Sequence, residues 1–157
     1  MIRSVWRSDT AAVVALTVAS ELFPEEEAGI VEGMLGEYFA GRQAEGHTCV
    51  VDEVDGDLLA VAYCEPVVAT DRTWELTMIG VRRDLHRQGR GAGLLRHVEE
   101  DLRSRGQRLL LIQTSALPGF ARARAFYLAL GYDEEARVRD YFEAGDDMVL
   151  FRKALRP

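Results

Sequence analysis

Val81-Arg82-Arg83-Asp84-Leu85-His86-Arg87-Gln88-Gly89-Arg90-Gly91-Ala92-Gly93-Leu94-Leu95 joins two different hydrophobic periods. Before it, Trp74 to Val81 has the composition of a strand. After it, Leu94, Leu95, Val98 and Leu102 recur at helical spacing, so the segment is a strand-to-helix turn. Glycines at 89, 91 and 93 leave the backbone uncovered and admit positive φ. Their N–H groups, with the first unpaired N–H groups of the helix, form a donor surface where the helix dipole favours negative charge. Residues 82 to 90 hold four arginines against one aspartate, a local +3 in a chain of net charge −7. That contrast points to a bound phosphate or diphosphate; the plainer alternative is a glycine turn with solvated arginines.

A Walker loop is excluded because no Gly-Lys-Ser/Thr is present. A dinucleotide fingerprint starting at Gly89 fails at Leu94, and it would open the first βαβ unit instead of following three strands and two helices. The segment resembles motif A of the GNAT superfamily of N-acetyltransferases, Q/R-x-x-G-x-G/A at the end of the fourth strand. Two registers compete. Gln88-Gly89-Arg90-Gly91-Ala92-Gly93 matches every letter. Counting from the strand end at Val81 favours His86-Arg87-Gln88-Gly89-Arg90-Gly91, with His86 in place of the usual first residue, and this register is preferred.

A second stretch, Pro118 to Tyr132, resembles the family's N-x-x-A-x-x-F-Y-x-x-x-G-F/Y helix, with Ala123, Phe126, Tyr127, Gly131 and Tyr132 in place. Phe120 stands where the family has asparagine, which puts that residue's contact to coenzyme A in doubt. Tyr127 matches the tyrosine that in many members protonates the departing thiolate; the alternative is an aromatic residue packed in the core. Arg122 and Arg124 either reach the phosphates or face water.

The length of 157 residues suits one domain, residues 1–157, with a sound core. Hydrophobic residues at 48% and charged residues at 29% indicate a soluble globular protein. No apolar run approaches a membrane span, and Met1 to Trp6 lack the apolar core of a signal peptide. Cys49 and Cys64 lack metal-type spacing and fit a cytoplasmic setting as buried small hydrophobes; no metal site is expected. Net acidity argues against a nucleic-acid or anionic-membrane partner.

In chain order, Ile2 to Trp6 predicts a strand, and Ser8-Asp9-Thr10 offers caps for a helix to about Glu21. Pro24 and Glu25 to Glu27 start a second helix, whose pairs Ile30/Val31, Met34/Leu35 and Tyr38/Phe39 predict a packed stripe ending at Gly41. Thr48–Val54 and Leu58–Cys64, the latter reaching towards Val68, form a hairpin through Asp55-Gly56. In Trp74 to Val81, period-two alternation puts Glu75, Thr77, Ile79 and Val81 on one face, with Leu76 and Met78 on the other. The third helix carries Glu99, Glu100, Asp101, Arg103 and Arg105 on a solvated outer face. Arg108–Gln113 is a fifth strand parallel to the fourth, and residues 134 to 153 close the chain as a hairpin.

The resemblance covers nearly the whole chain. It implies an α/β (α+β) GNAT fold: a mixed, largely antiparallel sheet of six to seven strands, a splayed parallel pair of fourth and fifth strands, and about four helices. It implies an acetyl-CoA-dependent N-acetyltransferase acting on a primary amine by direct attack. The diphosphate would lie on His86, Arg87, Gln88, Gly89, Arg90, Gly91, Ala92 and Gly93, with Arg122 and Phe126 nearby. Backbone at Ile79, Gly80 and Val81 would align the pantetheine arm. Counting back six residues from Val81 lands on Glu75, where the histone-modifying branch has its general base; the alternative is a strand glutamate paired with an arginine. Phe23, between the first two helices, would border the acceptor pocket, and Glu25 to Glu27 would suit a cationic acceptor. Neither cysteine suggests a covalent acetyl-enzyme. Rival expectations are a non-catalytic acyl-CoA-binding sensor and a protein lysine or N-terminal acetyltransferase. A homodimer is expected only because many family members form one.

Overall fold

The computed structural model describes residues 1–156. Seven strands form one sheet: β1 (Ile2–Ser4), β2 (Thr48–Val54), β3 (Asp57–Pro66), β4 (Thr73–Val81), β5 (Leu109–Ser115), β6 (Asp133–Glu143) and β7 (Asp146–Ala154). Their spatial order is β1-β2-β3-β4-β5-β7-β6. β4 and β5 run parallel; the other pairings are antiparallel. The four α-helices are α1 (Thr10–Ala19), α2 (Ala28–Glu37), α3 (Arg90–Ser104) and α4 (Ala121–Ala129). This is the mixed sheet with a parallel pair that the sequence predicts. None of the described helices is long and apolar enough to cross a membrane.

Local chemistry explains the connections. Asp55 and Gly56 take φ of +52° and +87°, consecutive left-handed residues of the kind a tight β2–β3 hairpin requires. The βαβ crossover from β4 through α3 returns the chain to β5. Two cores form on the two sheet faces. Leu94, Leu95, Val98 and Leu102 of α3 pack with Trp74, Leu76, Ile112 and Phe151 on one side. Val13 and Leu16 of α1 with Val31 and Leu35 of α2 pack with Val51, Val61, Tyr63 and Met78 on the other.

Several boundaries differ from expectation. α1 ends at Ala19, and Asp9 does not cap it by its side chain; its carboxylate accepts from the Trp6 N–H at 2.7 Å and from Arg3 at 2.8 Å. Gly41 lies inside a wide turn, Tyr38–Arg42, that extends α2, and Ile30 is exposed while Val31, Leu35 and Tyr38 are buried. β3 stops at Pro66, short of Val68.

Two differences matter more. The simple alternation expected in β4 is broken: Tyr63 pairs with Met78 but Cys64 with Leu76, so Thr77 is an extra residue, a β-bulge. Leu76 and Ile79 therefore share the α3 side, while Met78 moves to the α1/α2 side. Glu75 lies on that second side with Met78 and Gly80, not with Ile79 and Val81. Glu99 is the other correction. It is not solvated but 2% exposed, because it stands four residues after Leu95 and three before Leu102, on the apolar stripe of α3.

The Glu99 carboxylate is satisfied by Lys153 of β7 at 2.7 Å, the Tyr132 hydroxyl at 3.1 Å and Arg103 at 3.4 Å. Lys153 also donates to the Leu130 carbonyl at 2.8 Å, so one buried charge ties α3, the end of α4 and β7 together. Removing Lys153 leaves the buried Glu99 charge with only the longer Arg103 contact and the Tyr132 hydroxyl. Lys153→Met is expected to lower unfolding free energy by about 3 kcal/mol in urea titration. A loss below about 0.5 kcal/mol, the scale of ordinary surface changes, would contradict the structural role given to this pair.

Candidate active site

β4 and β5 are hydrogen-bonded neighbours only over Thr73–Leu76 and Leu109–Ile112. The bulge at Thr77 follows at once, and beyond it the strands diverge and a gap opens between them. Arg82 N–H donates to Leu59 O of β3 at 2.9 Å. Antiparallel alternation then turns the backbone groups of Ile79 and Val81 away from β3, towards the gap. The Val81 carbonyl is taken by His86 Nε2 at 2.8 Å, so that nitrogen carries the ring proton. Gly80 lies under the turn after α1: a Cβ there would meet Ser20 Oγ at 3.0 Å and Leu22 Cδ2 at 3.4 Å.

At its outer end the gap meets the start of α3. Gly89 takes φ +78° as the residue before the helix, with no side-chain cap. Gly93 N–H makes the first turn's bond to Gly89 O at 2.9 Å, which leaves the N–H groups of Gly91 and Ala92 ahead of it open. A Cβ on Gly91 would meet Val81 Cγ2 at 3.3 Å and Phe126 Cζ at 3.4 Å, whereas one on Gly93 would meet nothing within 4 Å. The glycine requirement therefore falls at 89 and 91, the register preferred from strand spacing.

The arginine count is misleading. Arg82 pairs with Asp84 at 2.7 Å, Arg83 with Glu21, and Arg90 turns back to the buried Asp52 of β2 at 2.8 Å. Among the described residues Arg87 alone of the four has no carboxylate partner, and it takes φ +66°. The groups left open around this turn are thus mostly backbone donors, not an arginine cluster. Gln88 is exposed beside Arg87.

Across the gap, α4 brings Phe126 against Gly91, and Tyr127 into the core with Tyr132 and Phe151. Tyr127 is 6% exposed, yet its hydroxyl has no hydrogen-bond partner among the described residues. No side-chain polar atom there is both sealed and unbonded, so this hydroxyl reaches accessible space. Burial pushes its pKa up to about 12, so the phenol holds its proton throughout the neutral range. Arg124 does not reach towards the cradle; its Nη1 clamps the carbonyls of Ser115 and Leu117 at 2.7 and 2.9 Å. Arg122 and Phe120 are exposed, and Phe120 offers no polar group at the family's asparagine position.

Glu75 is half-buried at the inner end of the gap, on the α1/α2 side, and is not paired with an arginine among the described residues. Burial first, then the neighbouring Glu65 carboxylate, raises its pKa above the usual glutamate value. Phe23 packs against the core under α1 and α2, on this same side. Sequence reasoning missed Glu65, which pairs directly with Glu75 across β3 and β4. It also missed Asp52, the partner of Arg90. The Asp55-Gly56 hairpin fixes the phase of β3, but the bulge in β4 hides which residue opposes which.

The profile of the acetyltransferase (GNAT) family matches residues 11–132. The chain belongs to this family. It is an N-acetyltransferase that draws its acetyl group from acetyl-CoA. It is 33% identical over 108 residues to the [ribosomal protein bS18]-alanine N-acetyltransferase of Escherichia coli K12, covering 69% of this chain and 70% of that protein. A crystal structure from Desulfovibrio desulfuricans, described as a GNAT-family acetyltransferase, superposes with a TM-score of 0.93 at 30% identity, over 99% of this chain and 98% of that one. The Escherichia coli ribosomal-protein-S18-alanine N-acetyltransferase gives 0.79 at 26% identity, over 100% and 94%.

The GNAT cofactor fits these residues: open amides for a diphosphate, an uncovered Gly91, and an unpaired strand edge for the amide groups of an extended arm. Burial pushes the Cys49 and Cys64 thiols up to about 12, which leaves neither as a thiolate nucleophile. Gly91→Asp places bulk and negative charge in the cradle, so acetyl-CoA is expected to lose its stabilising effect in thermal unfolding while the fold persists. Retained stabilisation would remove Gly91 from the site. Arg87→Gly removes the free cation at a backbone conformation glycine accepts. Acetyl-CoA affinity by calorimetry should fall about tenfold, roughly 1.4 kcal/mol, with no loss of Tm.

Proposed function

We propose that acetyl transfer proceeds by direct attack, with Glu75 as general base and Tyr127 as donor to the departing thiolate. One observation carries this: at the inner end of the gap the two groups approach from opposite faces of the sheet, Glu75 from the α1/α2 side and Tyr127 from the α3/α4 side. An acceptor entering beside Glu75 thus attacks from the side away from the leaving sulfur. Acetyl-CoA supplies a thioester carbonyl open to a neutral amine. An ammonium cannot attack, and an amine with pKa near ~10 is protonated at pH 7, so Glu75 takes its proton. Its raised pKa makes it a better base than an ordinary carboxylate. The N–H groups of Ile79 and Val81 bind the arm, and one beside the bulge polarises the carbonyl. Arg87, Gly91 and Ala92 hold the diphosphate.

Tyr127 gives a hydrogen bond more than a whole proton. A phenol near 12 facing a thiolate whose conjugate acid has pKa about 8.5 stabilises developing charge without full transfer. Its share is therefore modest.

For the acceptor we propose the α-amine at the N-terminus of a protein chain. The relative that acts on a ribosomal-protein alanine supports this. So does the acceptor-side face of β5 and β7, where Leu111, Leu150 and Arg152 remain part exposed, enough for an extended chain to lie across it. Phe23 would border the entering residue. The buried, unpaired cysteines support a reducing, cytoplasmic setting.

Thiol release from acetyl-CoA across alanine-initiated peptides, lysine peptides, polyamines and aminoglycosides tests the proposal. Alanine-initiated peptides should exceed the small amines at least tenfold in kcat/KM; preference for a small amine would overturn the acceptor, and binding without any turnover would overturn the catalytic reading. Tyr127→Phe should lower kcat about tenfold with acetyl-CoA affinity unchanged. Glu75→Gln should cost about 10²-fold or more. In the wild type kcat/KM should fall as pH drops through the raised Glu75 pKa, since protonation removes the base.

A further inference from the structure

Glu65 and Glu75 are register partners in the antiparallel β3–β4 pair, one pair before the bulge. Both lie on the α1/α2 side: Glu65 is two residues on from the buried Tyr63, which packs into that core, and Glu75 is its direct neighbour. Side chains directly opposite on one face have Cβ atoms about 5 Å apart, and like charges there repel. A structural sheet would place a lysine or threonine at one of these positions. Here no lysine or arginine forms an ion pair with either carboxylate among the described residues.

The surroundings of the pair are specific. His47 Nδ1 lies 3.5 Å from Glu65 Oε2 and 2.6 Å from the Tyr63 hydroxyl. When His47 is neutral and Nδ1 accepts from Tyr63 O–H, it offers Glu65 no donor; when protonated, its Nδ1–H lies between Tyr63 and Glu65. These groups, with Met34, Glu37 and Arg42, line a cleft of about 250 Å³ that opens to solvent. Arg42 is held by Glu45 at 2.9 Å. Towards β5 the residue opposite Glu75 is Leu111, which is apolar, and the next in that row is Arg152 of β7, roughly 10 Å from Glu75 by strand spacing. Glu65 is thus the nearest charged residue to Glu75 along this row of the sheet.

We propose that Glu65 is a positioning residue for acetyl transfer: with Glu75 it forms a carboxyl pair that takes up the acceptor's proton as a unit, and His47 passes that proton to the solvent-filled cleft. This rests on the assignment of Glu75 as the base. The amine N–H bond breaks towards Glu75, whose carboxylate oxygen gains the proton. The adjacent Glu65 carboxylate, no longer repelled, shares it, and His47 Nδ1 accepts it next; the imidazolium loses its Nε2–H to water in the cleft, and exchange with the same water returns the ring to its Nε2–H tautomer. No electrons beyond the proton-bond pairs move. A like charge this close disfavours the charged form of Glu75 and so favours its uptake of the proton. The direction found for Glu75, raised by Glu65 as well as by burial, agrees with that geometry.

The test does not depend on knowing the acceptor. Side-chain carboxyl carbons of ¹³C-labelled glutamate are followed by NMR from pH 3 to 9, with the Glu75 signal assigned by its loss in Glu75→Gln. In the wild type Glu75 should titrate above the ordinary range of about 4.3, with a curve broadened by its partner. In Glu65→Gln its midpoint should fall by about one pH unit and become a single step. Glu65→Asp keeps the charge and should restore most of the shift. A Glu75 midpoint unchanged in Glu65→Gln overturns the proposal. The acid limb of kcat/KM with an alanine-initiated peptide should move to lower pH with the midpoint. A midpoint that moves while the limb stays fixed denies Glu65 a part in transfer. Full turnover in Glu75→Gln would instead place the failure with Glu75 as base.

Discussion

A single inserted residue, Thr77, sets the geometry on which the site depends. A sheet gains from pairing every backbone group, and unpaired buried N–H and C=O groups are costly. β4 pairs with β3 along its length except at the bulged Thr77, but on its other edge it pairs with β5 only as far as Leu76. The bulge bends it away from there. It also resets the side-chain phase, which keeps Ile79 and Val81 in the α3 core and turns Met78 and Gly80 to the other face. The exposed edge is therefore a consequence of core packing on both faces, and its unpaired amides are what an extended amide-bearing arm can satisfy.

The charge distribution follows a related economy. The chain is acidic overall, and most cations near the glycine turn are tethered to particular carboxylates. Those pairs orient the turn: Arg90 anchors the first residue of α3 to β2, and Arg83 links the turn to the end of α1. In the proposed site, anion recognition is left to main-chain donors of fixed direction, with Arg87 as the one cation free to join them. The position of α3 itself is fixed from below by the Glu99–Lys153 pair, so a charge that faces away from the site helps to hold the cradle in register with β4.

Much of this was legible in the sequence. The period change across Val81–Leu95, the Asp55-Gly56 turn and the alternation of elements carried the β2–β3 hairpin and the parallel pair, and the GNAT resemblance implied the rest of the mixed sheet. The spacing of glycines 89 and 91 from the strand end picked out the two positions where a positive φ and close packing call for glycine. What local patterns could not carry was pairing between distant segments. Counting charges over 82 to 90 overstated the free cations, because Glu21 and Asp52 are remote in sequence. Period-two counting failed at Thr77, because a bulge has no compositional mark there. Glu99 was misplaced for the opposite reason: its helical spacing from Leu95 and Leu102 pointed inward, but its charge suggested water. Glu65 could be seen beside Glu75 only once the β3–β4 register was known.

Amide hydrogen exchange followed by NMR, with and without acetyl-CoA, tests the central claim most directly. The account predicts slowed exchange at Ile79 and Val81 on the free edge of β4 and at Gly91 and Ala92 at the start of α3, with β1 and β2 unaffected. Binding that slows exchange elsewhere and leaves these four amides unchanged would contradict it.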